Sequence, residues 1–170
     1  MYLRDLNLGV TNKDERNLEV VALGLPLYNG AQLAVDVTLR SALTSTGEAR
    51  PKAAEEGGSV AEAARRDKET AYPEFVFARR CKLVVVALET GGRWSSEAAE
   101  FVKDLADAKA KSAPKTLRFS ASLAWQRRWV RLLSTAAVKA LVHSLASPVG
   151  ALHDFASSAA PELFEVVSRD

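Results

Sequence analysis

Cysteine is almost absent: Cys81 is the only one in 170 residues. That excludes an intramolecular disulfide framework and a cysteine-rich zinc site. Long hydrophobic runs are missing too. The longest, Leu83 to Leu88, falls far short of the roughly 18 residues that cross a bilayer. The N-terminus carries Arg4 and Asp5 where a signal peptide would be apolar. A soluble, intracellular protein with no membrane partner is expected. With 9 Gly and 6 Pro the chain is neither collagen-like nor low in complexity, and 48% hydrophobic with 26% charged is an ordinary globular balance. At this length one domain with a useful core is the default.

Acid is absent from one long segment. Between Ala108 and His153 there is no Asp or Glu, while Lys109, Lys111, Lys115, Arg118, Arg127, Arg128, Arg131 and Lys139 bring the segment to +8 in a chain that totals +2. Such a segment is a candidate surface for a polyanion, because basic side chains near phosphates release condensed counterions. Solvated outer faces of helices give the same pattern.

What is present reads as three strands and then mostly helix. Leu18 to Leu23 is a short apolar run, and Asn29-Gly30 beyond it is a hairpin-type turn signal. From Leu33 the chain alternates, with Leu33, Val35, Val37 and Leu39 on one face and Gln32, Asp36, Thr38 and Arg40 on the other. Leu43 to Ser59 reads as an exposed loop. Ser59 with Glu62 forms a capping-box pattern for a helix reaching about Tyr72, stopped by Pro73. Leu83 to Leu88 reads as a strand buried on both faces. A helix from Ser95 or Ser96 to about Lys111 follows, then a long helix from about Lys115 to Ala146, with one or two short terminal helices marked off by Pro148 and Pro161. The expected class is α/β: a small mixed β-sheet core flanked by helices over residues 1–112, and a helical C-terminal extension packed on that core over 113–170.

The chemistry-bearing residues gather early in the chain. Asp36 lies mid-strand, where a carboxylate must be solvated, paired with a neighbour such as Arg40, or bound to a cation. Glu19 lies on the preceding strand, and a hairpin would bring the two acids to one end of the sheet. Two carboxylates with open coordination positions suit Mg²⁺. On a helical wheel Lys68 falls among Val60, Ala61, Ala64, Ala71 and Tyr72, so it interrupts an apolar face. A lysine there needs a partner or a task, or else it snorkels. In the long helix Trp125, Trp129, Leu132, Leu133, Ala136 and Ala140 form an amphipathic stripe that reads as core packing, with Arg127 and Arg131 opposite. His143 and His153 lack a Cys or His at metal-ligand spacing, and Cys81 reads as a small core residue.

The run Gly24-Leu25-Pro26-Leu27 through Gln32-Leu33-Ala34-Val35-Asp36-Val37-Thr38-Leu39, followed by Ala64-Arg65-Arg66-Asp67-Lys68-Glu69-Thr70-Ala71-Tyr72, resembles the restriction-like endonuclease of non-LTR retrotransposons. That domain lies C-terminal to the reverse transcriptase and belongs to the PD-(D/E)XK superfamily. The resemblance covers about Leu18 to Phe101. It departs at the first acid, Glu19 after Leu18, where the family usually has Asp after Pro. It implies a Mg²⁺-dependent DNA endonuclease: Glu19 and Asp36 as metal ligands, Lys68 neutralising charge at the phosphate, Tyr72 positioning Lys68, and Glu89 as a possible third acid. It further implies DNA and the RNA of the element as partners, and a nuclear location. Lys115, Arg118, Arg127, Arg128 and Arg131 are the candidate DNA-phosphate contacts. The competing expectation is a catalytically inactive element remnant that at most binds nucleic acid.

Overall fold

The computed structural model describes residues 2–6, 8, 10–11 and 13–146. The chain divides into two compact units, Met1–Ala137 and Val138–Asp170, and only the final turns of the long helix are described in the second.

The alternating segment forms the strand on which the first unit is organised. β2 (Gln32–Arg40) is the middle of a three-stranded mixed sheet, antiparallel to β1 (Val20–Ala22) and parallel to β3 (Cys81–Glu89). Parallel strands need a crossover, and the helix α1 (Ser59–Ala71) lies within it. Side chains alternate across the sheet. Leu33, Val35, Val84, Val86 and Leu88 pack on one face with Ala98 and Phe101 of α2 (Ser96–Ala110). Val85 and Ala87 pack on the other with Ala61 and Ala64 of α1. A further cluster joins Leu3, Leu6 and Leu18 to Ala34, Tyr72, Phe75 and Cys81. The expected α/β class, a small mixed sheet with flanking helices and a long C-terminal helix, is the observed one.

Several local readings are corrected. β2 is covered on both faces, so Leu33 through Asp36 are all buried, whereas Val37 on the expected apolar face is 46% exposed. The capping box does not form. Gly58, in the left-handed region at φ 88°, precedes the helix, and Ser59 is its first residue. Glu62 turns to α2, where its Oε1 accepts from the Ser96 N–H at 2.8 Å and the Ser96 hydroxyl at 2.7 Å. The N-terminus of α1 receives buried Glu89, whose Oε1 accepts from the Ala61 N–H at 3.3 Å. A carboxylate at a helix start satisfies an orphan donor and complements the dipole, so both helices gain one from elsewhere in the fold. The outer edge of β3 is also occupied. Glu97 accepts the Val85 N–H at 3.2 Å, and Ser95 donates its N–H to the Ala87 carbonyl at 2.9 Å.

The long helix α3 (Arg118–Ala146) has no buried residue. Its Trp stripe does not enter the core: Trp125 and Trp129 are half-buried against each other with ring centroids 5.5 Å apart, and Leu132, Leu133, Ala136 and Ala140 are exposed. Within the first unit it is tied to α2 through the Ser122 hydroxyl, which bonds Asp107, and through Lys109, whose ammonium lies 5.3 Å from the Trp125 ring centre. No described helix is long and apolar enough to cross a membrane. Pro148, His153 and Pro161, with the terminal helices expected there, lie outside the described residues.

Candidate functional site

The site begins with strand register. Val20 faces Val35 across the β1–β2 ladder, and one step further along the same register Glu19 faces Asp36. β1 is only three residues long, so the ladder ends there. The Val37 N–H beyond it is taken by the Glu19 Oε2 at 3.1 Å. That bond holds the Glu19 carboxyl inward beside Asp36, to which it is hydrogen-bonded.

Asp36 is 1% exposed. It points to the α1 face of the sheet, where Lys68 projects from the helix and sets its Nζ 2.8 Å from the Asp36 Oδ2. The geometry is that of an ion pair; the same oxygen has no well-angled hydrogen bond. Arg40, the bland partner for Asp36 on sequence grounds, pairs instead with Asp67 at 2.6 Å. Asp36 therefore sits between a second carboxyl and an ammonium.

Charge states follow from this packing. The Glu19 residue is exposed as a whole, but its carboxyl end is partly buried, and its pKa is pushed up to about 7 by burial, by the hydrogen bond to Asp36 and by that carboxylate's charge. Two carboxyls in contact share one proton more readily than they carry two charges. For Lys68 burial acts to lower the pKa, but the close contact with Asp36 and that carboxylate's charge outweigh it, so the net shift is upward and the side chain stays cationic.

Tyr72 is buried, and its hydroxyl donates to the Asn17 carbonyl at 3.1 Å. It ties the end of α1, one turn after Lys68, to the chain two residues before Glu19. Its own pKa is raised by burial and then by the Asp36 carboxylate. Arg16 lies over its ring, 5.7 Å from the centre, and pairs with Asp14 at 2.6 Å and with Glu74. Asn17, Arg16 and the Val37 N–H were not singled out in the sequence; only the assembled register shows them.

Glu89 does not join the site. Its register partner is Arg40, while that of Asp36 is Val85, which puts it roughly 13 Å up the sheet at about 3.3 Å per residue. Its carboxylate caps α1. Cys81 is buried at the start of β3, with its thiol pushed up by burial. Lys115, Arg118, Arg127, Arg128 and Arg131 are all exposed, on or just before α3. Among the described residues no three His, Cys, Asp or Glu side chains converge as a metal cluster. Two carboxylates are nonetheless a sufficient protein contribution for Mg²⁺, which keeps several waters and takes further oxygens from substrate phosphates.

No protein-family model matches the chain, and neither the curated proteins nor the solved structures contain a significant match.

Proposed function

We propose that the chain is a Mg²⁺-dependent DNA endonuclease domain, derived from a retrotransposon reverse-transcriptase polyprotein and hydrolysing phosphodiester bonds at an insertion target. The observation that carries this reading is the convergence of Glu19, Asp36 and Lys68 from a strand lead-in, a central strand and a helix. Bound Mg²⁺ would polarise the scissile phosphate and lower the pKa of the attacking water. Glu19 and Asp36 would hold it. Lys68, which stays protonated, would set its ammonium against the charge that grows on the phosphate oxygens in the transition state. The Val37 N–H holds the Glu19 carboxyl, and Tyr72 would position Lys68 by anchoring the end of α1 to the Asn17 carbonyl. The exposed arginines of α3 would contact DNA phosphates without reading sequence, and element RNA would meet the same surface. A nuclear location follows from this reading.

The test is nicking of supercoiled plasmid with Mg²⁺ by the wild type, Asp36→Ala and Lys68→Ala. Loss of nicking by a factor of about 100 or more in each variant is expected. Equal rates in all three would refute the catalytic assignment. A second reading, a catalytically inactive remnant that binds nucleic acid, is favoured by one observation: Asp36 is almost wholly buried and already paired with Lys68. Binding without nicking in the wild type would select it.

A further inference from the structure

Outside this triad, the loop between β2 and α1 folds over the outer side of α1 and leaves a cavity of about 480 Å³. Its cations come from three parts of the chain: Arg40 from β2, Arg50 and Lys52 from the loop, Arg65 and Arg66 from α1, against the carboxylates of Glu56 and Glu62. Three of the five are matched, since Arg40 pairs with Asp67, Lys52 with Glu56 at 3.5 Å, and Arg65 with Glu62 at 3.0 Å. Two are not. Arg50 spends its Nε–H on the Ser41 carbonyl at 3.0 Å, and neither it nor Arg66 has an acid partner among the described residues. Ser59 lines the same cavity, and its hydroxyl is buried without a hydrogen-bond partner.

Unmatched guanidinium groups drawn into one concave site repel one another unless an anion occupies it. The planar fork of arginine fits tetrahedral oxyanions in particular. Glu89 already serves the N-terminus of α1, so the attraction here comes from side chains and not from the helix dipole. We infer that this cavity binds a phosphate group. Arg40 lies on the same strand face as Asp36, four residues on and roughly 13 Å away at about 3.3 Å per residue. A nucleic-acid strand attacked at Asp36 can therefore lay a neighbouring backbone phosphate here. Only this choice of source rests on the nuclease reading; a small phosphate compound would use the same groups.

The experiment uses the full chain, followed by amide NMR during titration with inorganic phosphate and, separately, with a short DNA duplex. Inorganic phosphate is expected to shift the amides of Arg50, Gly58 and Ser59 in the wild type and in Asp36→Ala, and to bind at least tenfold more weakly to R50Q/R66Q. No shift at those amides, or equal binding by R50Q/R66Q, would overturn the inference. If the double variant fails to fold, R66Q alone is compared with R66K, which keeps the charge and is expected to retain binding. With the duplex, a salt dependence shallower by about one to two in R50Q/R66Q supports a backbone phosphate as the occupant. An unchanged slope with phosphate binding still lost supports a small phosphate compound. Plasmid nicking is read separately, so a failed nuclease assignment leaves the phosphate result standing, and the reverse.

Discussion

Asp36 is the residue on which stability and the proposed chemistry meet. A carboxylate at 1% exposure is tolerable because Lys68 reaches it, and removing the ammonium strands a buried charge. Lys68→Met is therefore expected to destabilise the fold by about 1–3 kcal/mol, less than a fully buried pair would lose because Lys68 is itself a third exposed. The double variant Asp36→Asn/Lys68→Met should cost less than the sum of the two single changes. Urea denaturation of the four proteins measures the coupling, and strict additivity would contradict the pairing. Glu19 makes a second prediction. Its folded pKa, about 7, lies above the ordinary value of 4.5, so the folded state holds a proton that the unfolded chain releases. The stabilisation is fully present below the ordinary carboxylate range and is lost as pH rises through 7. In EDTA the melting temperature should fall between pH 5 and pH 8, and Glu19→Gln should flatten that fall.

At the level of elements, the two helices against the sheet are held by acids that arrive from elsewhere. Glu62 of α1 grips the first turn of α2, and Glu89 of β3 grips the first turn of α1. Glu62→Ala should cost about 1–2 kcal/mol in thermal or chemical unfolding, typical of a lost helix cap. Ser59→Ala should cost little, since its hydroxyl makes no bond. If Ser59→Ala proved as damaging as Glu62→Ala, the local capping box would be the true arrangement. This is also where reading the sequence reached its limit. The apolar run at Leu83 to Leu88 and the Ser95 cap of α2 were legible because their cause is local: β-branched residues in one case, a serine hydroxyl accepting from the Ala98 N–H in the other. The approach of Glu19 to Asp36 was legible because an antiparallel register fixes which residues face each other. The partners of Glu62 and Glu89 were not, because a carboxylate three residues into a helix fits a local cap and a distant one equally well. The Trp stripe misled for a related reason. Periodicity shows that α3 has an apolar side, but not that anything covers it.

For the molecule as a whole, charge is sorted along the chain, with +8 between Ala108 and His153 in a total of +2. Charge reversal of Arg127, Arg128 and Arg131 to Glu should lower DNA affinity at least tenfold at low salt and flatten its salt dependence. All three are exposed, so the melting point should hardly move, with a stability change within about 0.5 kcal/mol per site. Unchanged DNA affinity would show that this surface is not the one that binds. The same exposure bears on the apolar stripe: Leu132→Ser should leave the fold intact, whereas Val84→Ala at the fully buried centre of β3 should cost about 1–2.5 kcal/mol.

The Glu97 carboxylate beside Val85 has a consequence for solubility. A bare outermost strand is a template on which another chain can zip by backbone pairing. A partly desolvated anion seated on its amide both takes the donor and repels any incoming carbonyl. Glu97→Leu would leave that rim sticky, and light scattering during slow heating should show aggregates forming earlier than in the parent protein, even where the two unfold at the same temperature.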